Sequence, residues 1–149
     1  MQQICIVIPA RYKSSRLEGK PLKNIQGKKM IQMVWEQCSK SLDKNKIFIA
    51  TDDRRIEEFC KSNNMNTVMT SKNCLTGTDR VYDFSKKNKF DIYINIQGDE
   101  PLIDPKDIKK IINLSFKYPD SILNGMTKIT NETEYKSKNI PKVVTDKNC

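Results

Sequence analysis

The run Ile4-Cys5-Ile6-Val7-Ile8-Pro9 is followed by the loop Ala10-Arg11-Tyr12-Lys13-Ser14-Ser15-Arg16-Leu17-Glu18-Gly19-Lys20-Pro21. A short, continuous apolar run is typical of a strand covered on both faces, as in a parallel sheet. Arginine, lysine and serine side chains bind phosphate oxygens. A solvated basic loop is the alternative, but the position directly after the first strand favours a phosphate-binding loop. It contains neither the GxxxxGK[ST] nor the GxGxxG motif.

Outward from this stretch, short β-rich runs alternate with amphipathic segments. Such alternation predicts an α/β fold: a doubly wound, mostly parallel sheet with helices on both faces. The further predicted strands are Lys46–Ala50, Thr67–Met69 and Asp91–Gln97, with Ser121–Thr127 and Lys142–Thr145 as additional candidates. Four helices are predicted. The first contains Met30 to Cys38, and the second follows Asp53. The third begins at a cap formed by Thr78 or Asp79, and the fourth begins near Pro105.

Ligands of such folds bind beyond the carboxyl ends of the strands, where the strand order reverses. Four loops leave predicted strand ends, and we expect them to converge on one site. They are Ala10–Pro21, Thr51–Asp53, Thr70–Arg80 and Gly98–Asp104.

An acidic cluster, Gly98-Asp99-Glu100-Pro101, ends the strand that contains Gln97. Gly-Asp and Glu-Pro are also turn formers, so a plain turn is the alternative. Beside a cationic phosphate loop, however, a carboxylate commonly holds Mg²⁺ on phosphate oxygens. We therefore interpret Asp99 as a candidate metal ligand and Glu100 as a residue that braces the loop. The cluster Thr76-Gly77-Thr78-Asp79-Arg80 predicts a helix start that also contributes Arg80 or its backbone to nucleotide binding.

The composition narrows the class of protein. The chain has 149 residues, a formal net charge of +9, five cysteines and no histidine. Scattered cysteines without CxxC spacing argue against a zinc site and favour a reducing cytoplasm. The positive charge fits either a solubilising lysine surface or attraction of polyanions. No apolar run reaches the roughly 20 residues of a membrane span, and we identify no signal peptide.

The motifs together resemble the N-terminal part of the 3-deoxy-manno-octulosonate cytidylyltransferase family, the CMP-Kdo synthetases, and more distantly the CMP-acylneuraminate synthetases. The matching stretches are Ile8–Tyr12, Ser14–Leu17, Gly19–Leu22, Ala50–Asp52, Thr76–Arg80, Asn95–Pro101 and Lys142–Val144 with Asp146. The resemblance implies a cytoplasmic, usually homodimeric enzyme that transfers CMP from CTP to an acidic sugar such as Kdo. It implies one nucleotidyltransferase domain over residues 1–149, which we expect to be truncated at its C-terminus.

The resemblance also implies roles for individual residues. Arg11, Lys20 and Asp99 are the expected catalytic residues, and Asp99 is expected to hold Mg²⁺, the implied cofactor. The expected nucleotide-binding residues are Ala10, Arg11, Ser14, Ser15, Arg16, Lys20, Thr76, Gly77, Arg80 and Gln97. Cys74 occupies the loop position that is commonly histidine in Kdo enzymes, so the resemblance does not decide which acidic sugar is the substrate.

Two alternatives remain at this stage. One is a related nucleotidyltransferase for a sialic-acid-like sugar or another nucleotide. The other is a non-catalytic binding module for nucleotides or nucleic acid. Exposed, interleaved aromatic residues are typical of platforms that stack single-stranded nucleic acid. Aromatic residues here are scattered, so we expect no nucleic-acid partner. We also expect no membrane partner, because no apolar run is long enough for a membrane span.

Overall fold

The computed structural model describes residues 2–14 and 17–144, and its centre is a four-stranded parallel sheet. Across the sheet the strands are ordered β5-β4-β1-β6. A separate antiparallel pair is formed by β2 and β3. In chain order the strands are β1 (Ile4–Ala10), β2 (Asn24–Ile25), β3 (Lys28–Lys29), β4 (Ile47–Thr51), β5 (Thr67–Met69) and β6 (Ile92–Asn95).

The first strand is the centre of the sheet, as its apolar run predicts. All seven residues of β1 are buried. It pairs in parallel with β4 from Ile6–Ile47 to Ala10–Thr51, and with β6 from Ile4–Ile92 to Val7–Asn95. A strand with neighbours on both edges and helices on both faces has no solvent-facing side, which explains the continuous apolar sequence.

Five helices connect or follow these strands among the described residues. They are α1 (Met30–Ser39), α2 (Arg54–Ser62), α3 (Gly77–Lys87), α4 (Pro105–Lys117) and α5 (Glu132–Lys136). Two short 3₁₀ turns, Lys20–Leu22 and Lys44–Lys46, precede β2 and β4. Asp53 caps α2, since its carboxylate accepts a hydrogen bond from the amide of Arg55, and Pro105 occupies the first turn of α4.

Helices cover both faces of the sheet, which confirms the doubly wound prediction. On one face Ile6 and Ile8 of β1 pack in a cluster with residues of α1, α2 and α4. On the other face Cys5 and Val7 pack with Phe84 of α3. The chain moves outward from β1 to β5 and then crosses back to β6. Because such crossovers are right-handed, the reversal places α3 on the opposite face.

Two predicted strands are wrong. Ser121–Thr127 forms no strand, and Ile122 and Met126 in it are exposed. Lys142–Val144 is also irregular, and Thr145 lies outside the described residues. Apolar sequence is not sufficient for a strand, because its backbone groups need a hydrogen-bonding neighbour. Neither segment pairs with β6 or another strand in the part of the chain that the structure describes.

The longest of the helices within the described ranges, α4, has 13 residues. None of these helices combines the length and apolar character needed to cross a membrane.

Candidate functional site

A cleft of about 420 Å³ opens beyond the carboxyl ends of β1 and β6. This is the point where the strand order reverses, because β4 lies on one side of β1 and β6 on the other. Three of the four predicted loops meet there. The fourth, Thr51–Asp53, does not line the cleft, so that part of the prediction is wrong. The residues that line it are Pro9, Ala10, Arg11, Ser14, Leu17, Lys20, Pro21, Thr76, Gly77, Arg80, Gln97, Gly98 and Asp99.

The basic loop, which we define as residues 11–14 and 17–21, contributes cations and a hydroxyl to the cleft. Arg11 is exposed and reaches across it, where Nη1 donates to the carbonyl oxygen of Leu75 at 3.4 Å. The hydroxyl of Ser14 accepts a hydrogen bond from the amide of Leu17 at 3.4 Å. Gly19, with φ of +66°, turns the chain into the 3₁₀ turn that begins at Lys20. Only glycine adopts this backbone region at little cost.

Lys20 and Asp99 face each other across the cleft. Nζ of Lys20 lies 2.7 Å from Oδ2 of Asp99, and their side chains are 36% and 50% exposed. A pair with this exposure contributes only about 0–1 kcal/mol, since water screens the charges. Each side chain can therefore exchange its partner for another group of opposite charge at little cost. The candidate phosphate ligand and the candidate metal ligand are adjacent, although 79 residues separate them in the chain.

The start of α3 forms another wall of the cleft. Thr76, rather than the predicted Thr78 or Asp79, is the N-cap. Its hydroxyl accepts a hydrogen bond from the amide of Asp79, whose carboxylate accepts one from the amide of Thr76. This reciprocal pair is a capping box, which places the cap three residues before its acidic partner. The positive end of the helix dipole consequently faces the cleft.

Gly77 leaves the space that the side chain of Gln97 occupies. A methyl group added at Gly77 would lie 2.8 Å from Oε1 and 3.0 Å from Nε2 of Gln97. The amide of Gln97 also donates to Oδ1 of Asn95 at 3.2 Å. An amide side chain carries both donors and an acceptor, which suits it to contact a nucleobase edge.

Arg80 lines the cleft but is only 2% exposed. Its Nη1 donates to the hydroxyl of Thr70 at 2.6 Å, and its Nη2 lies 3.2 Å from Oδ2 of Asp52. Partners within the protein thus already occupy the guanidinium. This arrangement fits a residue that holds the Thr70–Thr76 segment in place better than one that grips phosphate.

Asp99 is the only carboxylate that lines the cleft among the described residues. The neighbouring Glu100 has a raised pKa, chiefly because of burial and secondarily because of the charge of Asp99. A group of three or more acidic, histidine or cysteine side chains that could enclose a metal is absent from residues 2–14 and 17–144. Mg²⁺ commonly binds through one or two carboxylates and takes its other ligands from substrate phosphates and water. A single carboxylate beside the cationic side chains of Arg11 and Lys20 fits that pattern.

Eight of the ten predicted nucleotide-binding residues, together with Asp99, line this one cleft. The other two, Ser15 and Arg16, lie outside the described residues. The sequence alone did not identify Pro9, Leu17, Pro21 and Gly98 as lining residues. It also assigned no role to Asp52, although Asp52 lies in one of the motifs; its pairing with the buried Arg80 depends on tertiary structure.

Comparisons with known proteins identify relatives over nearly the whole chain. Residues 5–149 match the family model described as Cytidylyltransferase. The chain is 42% identical over 146 residues to the 3-deoxy-manno-octulosonate cytidylyltransferase of Geotalea daltonii, covering 97% of this chain and 57% of that protein. It is 43% identical over 145 residues to the 8-amino-3,8-dideoxy-manno-octulosonate cytidylyltransferase of Shewanella loihica, covering 95% and 58%. The chain thus spans little more than half the length of these two relatives.

Solved structures show the same similarity. A CMP:2-keto-3-deoxy-manno-octonic acid synthetase complexed with CTP superposes with a TM-score of 0.76 and 42% identity, over 79% of this chain and 49% of that one. A cytidylyltransferase from Leptospira borgpetersenii superposes with a TM-score of 0.70 and 28% identity, over 80% and 51%. The cleft at the strand-order reversal and the match over nearly the whole chain lead to one conclusion: the chain belongs to the cytidylyltransferase family.

Proposed function

We propose that this chain supplies the nucleotide-binding part of an enzyme that transfers CMP from CTP to Kdo or a close relative of Kdo. A hydroxyl oxygen of the sugar attacks the α-phosphorus, the bond between the α-phosphorus and the bridging oxygen breaks, and pyrophosphate leaves. The hydroxyl proton passes to solvent or to a pyrophosphate oxygen. The observation that carries the proposal is the cleft in which Arg11, Lys20, Asp99 and Gln97 converge.

Different residues of the cleft contact the phosphates, the nucleoside and the metal in this proposal. Arg11 and Lys20 bind the β- and γ-phosphates and stabilise the charge that develops on the departing pyrophosphate. Gln97 and the start of α3 hold the nucleoside end. Catalysis of this kind depends mainly on alignment and charge neutralisation, so the absence of histidine from the chain is no obstacle. Asp99 would hold Mg²⁺, which when bound neutralises charge on phosphate oxygens.

The sugar has two candidates that the comparisons make equally reasonable. Relatives that carry the Kdo name and the 8-amino-3,8-dideoxy name are 42% and 43% identical to this chain. The 8-amino sugar carries an additional amine. A pyrophosphate-release assay that compares the two sugars would distinguish them.

We further propose that the enzyme works in the cytoplasm and as a homodimer. The family resemblance supports both proposals, and the scattered cysteines also support the location.

Thermal shift with a panel of nucleotides tests the assignment of CTP. We expect CTP with Mg²⁺ to raise the Tm more than ATP, GTP or CMP with Mg²⁺. At a ligand concentration 100-fold above Kd, binding adds about 2.7 kcal/mol to the free energy of unfolding. Equal shifts with the three triphosphates would contradict the cytidine assignment. A larger shift with a single-stranded oligonucleotide than with any nucleotide would favour the nucleic-acid binding module instead.

A further inference from the structure

Tyr12 lies in the basic loop, between Arg11 and Lys13, yet its ring packs inward against two other parts of the chain. On one side is the backbone of Gly19, since a methyl group added there would lie 2.9 Å from Cζ of Tyr12. The amide of Gly19 also donates to the carbonyl oxygen of Tyr12 at 2.9 Å. These contacts close the loop upon itself, immediately before Lys20.

Arg55, from the first turn of α2, stacks on the same ring. Its Cζ lies 3.3 Å from the ring centroid of Tyr12, which is the distance of a planar group in face contact. Arginine combines cation–π attraction with stacking in this geometry, and lysine does not provide the planar surface.

Asp53 fixes the orientation of Arg55. Nε of Arg55 donates to Oδ1 of Asp53 at 2.9 Å, and Nη2 donates to Oδ2 at 2.7 Å. The same carboxylate caps α2 by accepting from the amide of Arg55 at 3.0 Å. Fork-to-fork pairing of guanidinium and carboxylate sets both the position and the plane of the guanidinium. The N-terminal end of α2 therefore fixes the orientation of the Tyr12 ring, in addition to the contacts within the loop.

From these contacts we infer that Asp53, Arg55 and Tyr12 form a clamp that positions the basic loop for the triphosphate. Arg11 precedes Tyr12 directly, and Lys20 follows Gly19 directly. The clamp thus holds the two backbone points from which the proposed phosphate ligands extend. Arg55 itself does not line the cleft, so it is a positioning residue and not a catalytic one. The effect of the clamp on triphosphate binding rests on the proposed function, but the clamp itself can be tested without nucleotide.

Arg55→Ala is the test variant, and Arg54→Ala is its matched control, since Arg54 is the neighbouring exposed arginine of α2. The first measurement is amide hydrogen exchange at Gly19, without nucleotide. We expect Arg55→Ala to accelerate exchange at Gly19 about tenfold and Arg54→Ala to leave it unchanged, with both variants folded. Tyr12→Phe keeps the ring and should behave like the wild type, whereas Tyr12→Leu should behave like Arg55→Ala. Unchanged exchange at Gly19 in Arg55→Ala would overturn the clamp.

The second measurement is the affinity for CTP and for CMP, in the wild type and in the same variants. Arg55→Ala should weaken CTP binding about tenfold and change CMP binding less than twofold, because only CTP carries the β- and γ-phosphates. Equal weakening of both nucleotides would mean a general structural role and would overturn the positioning inference. Failure of the wild type to bind CTP would refute the proposed function, while the exchange at Gly19 would still decide whether the clamp exists.

Discussion

At the scale of single residues, Lys20 and Asp99 place the candidate phosphate ligand and the candidate metal ligand side by side in the cleft. The two side chains are 2.7 Å apart and half-exposed, so each can exchange its partner for a ligand group at little cost. A phosphate on Lys20 and a cation on Asp99 would keep the same alternation of charge. If Lys20 binds phosphate and Asp99 binds Mg²⁺, as we propose, the pair would make the binding of triphosphate and of metal interdependent.

Asp99→Asn should uncouple nucleotide binding from magnesium. The substitution keeps the size of the side chain and removes its charge, so added Mg²⁺ should no longer strengthen CTP binding. Without Mg²⁺, CTP should bind up to about fivefold more tightly than to the wild type, because Lys20 loses its competing carboxylate, a change of about 1 kcal/mol. Calorimetric titration with and without Mg²⁺ measures both effects. A wild-type response of the variant to Mg²⁺ would leave Asp99 as a turn residue.

Lys20→Ala tests the other half of the pair. Loss of a charge-assisted hydrogen bond to phosphate should weaken CTP binding about tenfold, about 1.4 kcal/mol, with and without Mg²⁺. Lys89→Ala is the matched control, since Lys89 is an exposed lysine that precedes β6 and lies at the opposite end of that strand from Asp99. Tm should change little in either variant. Equal CTP affinities for the two variants would remove Lys20 from the phosphate site.

At the scale of secondary-structure elements, the start of α3 serves both stability and the cleft. Its capping box satisfies backbone donors, and its first residue, Gly77, makes room for Gln97. The prediction of a helix start in Thr76–Arg80 is confirmed, and only the capping residue differs. Thr76 and Thr78 are both acceptable caps by residue type. Thr76 is the cap because it lies three residues before Asp79, with which it exchanges the two hydrogen bonds of the capping box.

Gly77→Ala should separate these two roles of the helix start. Alanine lowers the conformational entropy of the unfolded chain, an effect of roughly 0.4–1 kcal/mol on the free energy of unfolding. This gain offsets the close contacts of the new methyl group with the flexible end of Gln97 and with Cγ of Pro9, so the Tm should change little. The new methyl group collides with Gln97, so CTP affinity should fall about tenfold, as measured by titration. Gly125→Ala is the control, because no atom lies within 4 Å of a methyl group added there. Gln97→Ala should cause a similar loss, and the double variant should add little. Normal CTP binding by Gly77→Ala would show that the position of Gln97 is unimportant.

At the scale of the whole molecule, one sheet separates two apolar clusters, and buried cysteines report on both. Cys5 lies in the cluster beneath α3, whereas Cys38 and Cys60 lie in the cluster on the other face. Burial raises the pKa of Cys5 and Cys38 to about 12 and that of Cys60 to about 11. Because the thiolate is the reactive form, these thiols should be inert in the folded protein.

Alkylation across a urea series should show that the two faces unfold together. At pH 8, Cys5, Cys38 and Cys60 should become reactive with the same urea midpoint, because both apolar clusters contain residues of β1 and β4. Mass spectrometry resolves the individual cysteines, and the half-buried Cys74 provides an internal reference for the native state. Reaction of Cys5 at a lower urea concentration than Cys38 and Cys60 would show that the α3 face unfolds separately.

Much of the architecture was predictable because it depends on local patterns. The apolar run of β1, the helical spacing from Met30 to Cys38 and the position of Pro105 each indicate an element directly, and their alternation predicts the doubly wound sheet. Ser121–Thr127 could not be decided in this way. Its composition favours a strand, but a strand also requires a hydrogen-bonding neighbour, and none pairs with it in the described part of the chain.

The amino-acid sequence was enough to choose the candidate side chains of the cleft, because residue type limits what can bind phosphate or a divalent cation. Arg11, Lys20, Gln97 and Asp99 follow from their types and from their positions after strands. The folded structure, in contrast, sets how these groups are paired. It buries Arg80 against Asp52, places Lys20 on Asp99 and stacks Arg55 on Tyr12. These contacts join residues far apart in the chain, and their geometry depends on the strand order that brings the loops together.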